Sequence, residues 1–407
     1  MATKKKMLQA AAGQAGGEAL DIDEVFSTYL YTGTSGSPGV TVTNGIDLAG
    51  EGGLVWLKSR SNSVNHSLFD TERGGNSNLA TNVTDASGVI QMDAFSGPVF
   101  NSDGFFLRSG NGTIAASGYD YASWTFRKAP KFFDVVTYTG TGSQQNISHN
   151  LNSDVGFLIV KCTNASGTSW ACWHRTFSSN KFIQLNATNA VGTNSVFFPV
   201  APTSSQFTVG TDGDVNQSGA TYVAYLFAHN DGDGEFGPDG DQDIIKCGSY
   251  TGNNSYKKIT LGFEPQWVLI KAASGTYAGS TGWRLIDNMR SGSRLYPNNP
   301  DAETGSSSDN DATTFESDGF SFNDNQSEIN RSAHTYIYMA IRRGPLAQPE
   351  SATEVFSANL WTGTPGTNVT TGFTVDMQVN PRRDGSSHPT VNRVTGVHTT
   401  AATGGGK

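Results

Sequence analysis

The sequence is short of charge, of cysteine and of long apolar runs, and each shortage closes off a class of protein. Only 15% of its 407 residues are charged, with a net balance of −9. Basic residues gather at Lys4, Lys5 and Lys6 alone. Nothing therefore builds the positive surface that phosphate backbones require, and no nucleic-acid partner is expected. No run of about 18 apolar residues occurs, so no membrane-spanning helix is expected. The opening MATKKKMLQAAAGQAGG lacks the apolar centre of a secretion signal, which points to synthesis in a cytoplasm. Three cysteines, Cys162, Cys172 and Cys247, are an odd number without metal-type spacing. Buried free thiols are expected of them, and a bridge between Cys162 and Cys172 is the alternative.

Catalytic signatures are missing as well. There is no phosphate-binding P-loop, no strand-linked GxGxxG, no HExxH and no nucleophile elbow, and the seven histidines are scattered. No catalytic residue and no organic cofactor are expected.

What the chain does have is 48 Gly, 23 Phe, 13 Tyr and 7 Trp, with abundant Ser, Thr and Asn. Such a mixture favours short strands joined by tight turns, and its apolar content is high enough to offset the entropy of ordering the chain. No convincing amphipathic helix is found outside the first 20 residues.

Internal repetition carries the most information. An apolar phrase ending in aromatic-Thr-Gly occurs as VFSTYLYTGT, FFDVVTYTGT, IIKCGSYTGN and VFSANLWTGT. Its anchors Tyr31, Tyr138, Tyr250 and Trp361 are spaced by 107, 112 and 111 residues. Behind the first three follow LVWLKS, FLIVKC and WVLIKA, carrying Lys58, Lys161 and Lys271. Then come HSLFDTER, SWACWHR and GWRLIDNMR; NSDGFFL, SSQFTV and ESDGFSF; and YASWTFRKAP, YVAYLFAHN and YIYMAIRRGP. The last phrase is apolar at both Tyr336, Tyr338, Ala340 and Ile337, Met339, Ile341, the mark of a central strand covered on two faces.

The expected fold is all-β, built of tandem β-sandwich modules, jelly-roll or lectin-like, of about 110 residues each. The expected divisions are an N-terminal docking segment at 1–22, modules at 23–130, 131–238 and 239–346, and a partial fourth module with a tail at 347–407. Only Ala129 and Pro130 separate the first two modules, so stiff coupling is expected there. The half-module cannot close its own sandwich, and a contact with another subunit is expected to cover its edges.

Several side chains invite a functional reading. His66, Asp70 and Glu72 form the nearest approach to a polar constellation, since alternate strand positions share a face. A glycan-cleaving pair needs two acids flanking a bond, yet the matched positions of the later modules lack one, so a solvated strand end is expected. Asp231, Asp233, Glu235, Asp239, Asp241 and Asp243 could ligate Ca²⁺. Their spacing fails the EF-hand pattern, with Phe236 where Gly is required, so a hydrated acidic linker is expected and a bound Ca²⁺ is the alternative. Trp170, Trp173, Trp267 and Trp283 could stack on sugars, but each lies in or beside an apolar phrase and is expected in the core. The recurrent lysines follow from module geometry. Lys4, Lys5, Lys6, Met7 and Leu8 suit a docking peptide that orders on binding, or a disordered tail.

The sequence resembles the repeat-containing tail-fibre and virion structural proteins of marine tailed bacteriophages. The resemblance rests on the MATKKKMLQAAAG start, DEVFSTYLYTGT (Asp23 to Thr34), GIDLAGEGGLVWLKSR (Gly45 to Arg60) and DTERGGNSNL (Asp70 to Leu79), and covers about residues 1 to 375. The segment MQVNPRRDGSSHPTVNRV follows the repeat only loosely. The resemblance implies a virion protein, a tail fibre or fibre-like component, that docks on other virion proteins and leaves the cell in the released particle. It also implies a homotrimer, because three-fold symmetry is frequent in that class. The alternatives are a host-surface glycan-binding adhesin and a head decoration protein, with a polysaccharide-degrading enzyme third.

Overall fold

The computed structural model describes residues 19–34, 39–89, 97–108, 112–290, 292–305, 313–323, 325–344, 357–359, 377–379 and 390–392. The fold is all-β. Its helices among the described residues are single turns at Ile22–Glu24, Gly213–Asn216 and Asn288–Arg290. The chain divides into two compact units, Met1–Gly344 and Pro345–Lys407. In the second, the described strands Met377–Val379 and Thr390–Asn392 pair antiparallel. The expected edge contact of the half-module lies outside the described residues.

The first unit repeats one strand plan. Opening strands run Phe26–Thr32, Phe133–Thr139 and Ile245–Thr251; core strands Gly53–Ser59, Val155–Cys162 and Pro265–Ser274; flanking strands Ser67–Asp70, Ala171–His174 and Trp283–Asp287; closing strands Asp120–Arg127, Thr221–Ala228 and Thr335–Arg342. Each set forms an antiparallel sheet in the order opening, closing, core, flanking, and in the second sheet two short strands extend the flanking edge. The register aligns Trp56 with Trp124, Ile159 with Tyr225 and Leu269 with Met339. Closing strands are central, as the two-faced apolar pattern of Tyr336 to Ile341 requires.

A smaller sheet covers one face of each large one. In the first module Val55, Leu57, Phe69 and Tyr121 meet Val40, Val42, Phe105 and Leu107 from the small sheet. In the third, Val268, Ile270 and Tyr336 meet Ile259, Phe320 and Phe322. The opposite faces of the three large sheets turn towards one another and share a single core containing Trp56, Trp124, Phe157, Tyr225, Trp267 and Trp283. The modules are sandwiches that bury their backs together.

The aromatic-Thr-Gly phrase acquires a physical reason. Tyr31 stacks on Tyr121, Tyr138 on Tyr222 and Tyr250 on Tyr336, with ring centroids 5.1, 5.0 and 5.1 Å apart. The first tyrosine of each pair donates its hydroxyl to a backbone carbonyl in the segment before the closing strand, of Ile114, Val215 or Ile329, at 2.6 Å in every case. Stacking supplies apolar contact while the hydroxyl pins the loop preceding the closing strand. The glycine two residues later cannot carry a side chain. A Cβ at Gly33, Gly140 or Gly252 would collide with the carbonyl of Ala116, Gln217 or Arg331.

Joints between modules are packed. Ala129 and Phe133 exchange backbone hydrogen bonds. In the segment from Asn230 to Asp243 the acids Asp231, Asp233, Glu235, Asp239 and Asp241 are exposed, while other groups are fixed: Phe236 is buried, Gly237 N donates to Leu20 O at 2.9 Å, and Asn230 Oδ1 accepts from Ile244 N and Ile245 N. One buried aromatic and one buried amide outweigh the acidic composition, because an exposed Phe and unpaired strand amides would both cost free energy.

Candidate functional site

After the flanking strand each module sends out a hairpin flap, at residues 77–89, 181–193 and 293–305. Each flap docks on the next module. Ser87 N donates to Thr163 O at 2.8 Å, Val191 N to Ala273 O at 2.9 Å and Glu303 N to Arg60 O at 2.8 Å. The acceptors all lie two residues past the core lysine. First meets second, second meets third and third meets first, so the contact closes into a ring after three steps.

A side-chain contact of the same order sits seven residues earlier on each flap. Trp170 Nε1 donates to Ala80 O at 3.1 Å, Trp283 Nε1 to Gln184 O at 2.9 Å, and His66 Nε2 lies 3.0 Å from Tyr296 O. His66 Nδ1 accepts from Trp56 Nε1 at 2.9 Å. An indole N–H can only donate and a carbonyl can only accept, so this histidine is neutral with its proton on Nε2. Burial, with the charges of Lys58 and Arg290, pushes its pKa well below the usual histidine value.

At the far end of the flanking strand a third set of contacts closes the ring. Tyr225 donates to Asp70 Oδ2 at 2.8 Å, His174 Nε2 lies 3.1 Å from Tyr338 O, and Trp124 Nε1 donates to Asp287 Oδ2 at 2.9 Å. Both carboxylates are neutralised by the arginine three residues on, Arg73 at 2.6 Å and Arg290 at 2.8 Å. In the second module the acid and arginine give way to His174 packed on Phe177. Burial holds the His174 pKa down to about 3, opposed by its bond to Tyr338 and reinforced by the charge of Arg175.

These contacts correct the solvated strand end expected of His66, Asp70 and Glu72. His66 and Asp70 are fully buried cross-module contacts, and Glu72 pairs with Lys128 at 2.7 Å. They do not face a common space. Trp170, Trp173, Trp267 and Trp283 are in the core, and the three cysteines are buried free thiols.

The acidic residues do not assemble either. Glu235 pairs with Lys131 at 2.7 Å, Asp231 lies 3.9 Å from Lys246, and Asp233 Oδ1 accepts from Asp231 N. Asp239 and Asp241 stand exposed. Asp243 is occupied by Gly232 N, Gly234 N and Lys246. Among the described residues no group of three His, Cys, Asp or Glu side chains is placed to hold a metal. Lys4, Lys5, Lys6, Met7 and Leu8 lie outside the described residues.

The core lysines hold the loops beyond the core strands. Lys58 Nζ donates to Ser59 O and Asn62 O, Lys161 Nζ to Thr168 O, Thr168 Oγ1 and the flap carbonyl of Thr84, and Lys271 Nζ to Ala272 O and Ala278 O. All three are fully buried. Loss of hydration draws their pKa values down to about 8, 8 and 7, with Asp301, Cys162 and Glu328 respectively the largest opposing influences. Each ammonium acts as a staple for backbone oxygens that would otherwise be buried without a donor.

A family described as a domain of unknown function, DUF7483, matches residues 21–345. The chain belongs to this family. No curated protein matches it. The DUF7483 span covers all three flaps and all three lysines, so every contact of the ring lies inside the matched residues. Within it a cavity of about 10 Å³ is lined by Arg284, Ile286, Gly292, Ser293, Arg294 and Thr313, and a second recess lies between Phe157, His174, Trp283 and Tyr338.

Proposed function

We propose that the chain is a structural component of a tailed-phage particle, a tail fibre or fibre-like protein fastened at one pole to other virion proteins. The observation that carries this reading is the closed ring of flaps. Buried acids, histidines and indoles are spent on joining modules, which suits a block that must transmit position and force. A second feature supports it. Gly237 bonds to Leu20, and a Cβ on Gly344 would stand 3.5 Å from Ile22. The first and last described stretches of the unit therefore lie at the pole where opening strands begin, leaving the other pole free to project.

The test is labelling of purified particles, from lysates of cells carrying the gene, with antibody raised against the full chain. Discrete decoration of tails is the expected result. Antigen confined to the particle-free fraction would overturn the reading. Light scattering on the full chain measures the homotrimer proposed on the resemblance, and a monomer would leave the three modules of one chain as the source of three-fold form.

A further inference from the structure

Each opening strand is the edge of its large sheet, and the three edges differ in what covers them. In the first module Val25 O accepts from Arg127 N, and Gly33 N donates to Tyr119 O. The register between these points runs from Phe26 opposite Phe126 to Thr32 opposite Asp120, so ladder bonds fall on odd-numbered residues. Phe26, Thr28, Leu30 and Thr32 therefore turn their backbone N–H and C=O groups away from the closing strand.

The matching groups of the later modules are largely occupied. Phe133 exchanges two bonds with Ala129, Val135 N donates to Asp134 Oδ1 and Thr139 O accepts from Gln145 Nε2. In the third module Asn230 bonds Ile245 in both directions, and Cys247 N donates to His229 Nδ1. At the start of both strands the cover comes from chain leaving the preceding closing strand. Before the first opening strand the chain instead makes the single turn Ile22–Glu24. Among the described residues no group bonds to the outward amides and carbonyls of Phe26, Thr28, Leu30 and Thr32. This edge also lacks the guards that keep edge strands apart. Its residues, FSTYLYT, include no charge and no proline, whereas Asp134 and Lys246 lie in the other two opening strands.

We infer that the first opening strand pairs antiparallel with the same strand of a second copy of the chain. The register that engages every outward group sets Phe26 opposite Thr32 of the partner subunit and Thr28 opposite Leu30 of the partner subunit, with the reverse pairs completing it. The two-fold axis then passes through Tyr29, and one patch serves both sides. Self-pairing suits this edge because no charged residue of the strand meets its own copy. Asp23 and Asp120, beyond its two ends, are exposed to water, where salt screens them. Tyr29, which packs against the first sandwich core, would meet its copy at a position between ladder bonds, where side chains approach most closely. Two four-stranded sheets join into one, and the two entry poles lie at opposite ends of the pair. The contact goes beyond the virion reading and is independent of the homotrimer proposed with it, since it joins two chains or two trimers alike.

The experiment places probes on the axis of the full chain. Tyr29→Cys is expected to oxidise to a species of twice the chain mass on a non-reducing gel, because Cα atoms about 4.5 Å apart suit a disulfide. The parent, whose three cysteines are buried, and Tyr256→Cys, at the most exposed tyrosine, 56% accessible, are expected to stay uncrosslinked. Tyr29→Lys and Tyr29→Glu each set like charges face to face, so the light-scattering mass of either variant is expected to be half that of the parent. Mixing the two is expected to restore it. Leu30→Pro, which removes an outward N–H and no ladder bond to the closing strand, is expected to halve the mass as well. Thermal melts of each variant separate lost pairing from lost fold. Absence of the Tyr29→Cys crosslink, an unchanged mass in folded Tyr29→Lys, or a mixture that stays at half mass would overturn the inference. Particle labelling is a separate readout, so failure here leaves the virion reading standing.

Discussion

Trp124 and Asp287, 163 residues apart in sequence, meet through an indole N–H donated to a carboxylate at 2.9 Å. The same carboxylate holds Arg290, whose guanidinium carbon sits 5.4 Å from the Trp124 ring centroid. Three buried groups thus close the joint between the last module and the first.

Removing the acid strands the indole and leaves the guanidinium only the Glu303 carboxylate, 3.8 Å away. Asp287→Ala leaves a buried guanidinium without its carboxylate and is expected to cost about 3–5 kcal/mol. The midpoint of denaturant unfolding measures this. A loss under about 1 kcal/mol would mean that the joint is dispensable.

Tyrosine pairs offer a test of equivalence. Tyr31→Phe, Tyr138→Phe and Tyr250→Phe each delete one 2.6 Å bond while keeping the stack, and each is expected to cost about 1–2 kcal/mol. Similar losses support one shared role. If one variant melted like the parent, its loop would have to be held by other contacts.

Acid should loosen the ring. His66 and His174 have folded pKa values below the ordinary histidine value, that of His174 at about 3, so the unfolded chain binds protons first. Their contribution is complete above about pH 6.5 and is lost as pH falls towards the folded values, by up to about 1.4 kcal/mol per pH unit and histidine. Protonating His66 would also set two N–H donors, its own and that of Trp56, against each other. Melting temperature is expected to fall between pH 6.5 and 4, and His174→Gln to make the fall shallower. An identical slope in parent and variant would remove His174 from the account.

Lys271 should respond at the alkaline end. Its folded pKa of about 7 lies below the unfolded value of about 10.4, so stability contributed by this site rises with pH between the two. Lys271→Met should abolish that site's share of the rise. At pH 7 it should also cost about 1–3 kcal/mol, because the carbonyls of Ala272 and Ala278 lose their donor. Unchanged pH dependence in the variant would show that the staple stays charged throughout.

Much of this fold is legible in the sequence. Strand class follows from Gly-bounded apolar phrases, and the central position of Tyr336 to Ile341 follows from apolar residues on both faces. The flaps were not legible. Their docking atoms are the backbone groups of Ala80, Gln184 and Tyr296, and of Ser87, Val191 and Glu303, so their side chains are free to differ; the shared signal is a constant seven-residue offset. His66 was misread for a related reason, since the carbonyl of Tyr296, which accepts its proton, is remote in sequence.

By itself the sequence determined the all-β class, the recurrence of Tyr31, Tyr138 and Tyr250, and the burial of Trp170 and Trp267, because backbone propensity and side-chain hydrophobicity are local properties. Only the tertiary structure decided that three sandwiches turn their backs together and that Asp70, His174 and Asp287 occupy one position in a closed ring. It also decided that the acidic segment is tied to lysines and backbone amides. These outcomes depend on which distant groups share a buried space, where an unpaired charge or carbonyl costs several times what it would in water.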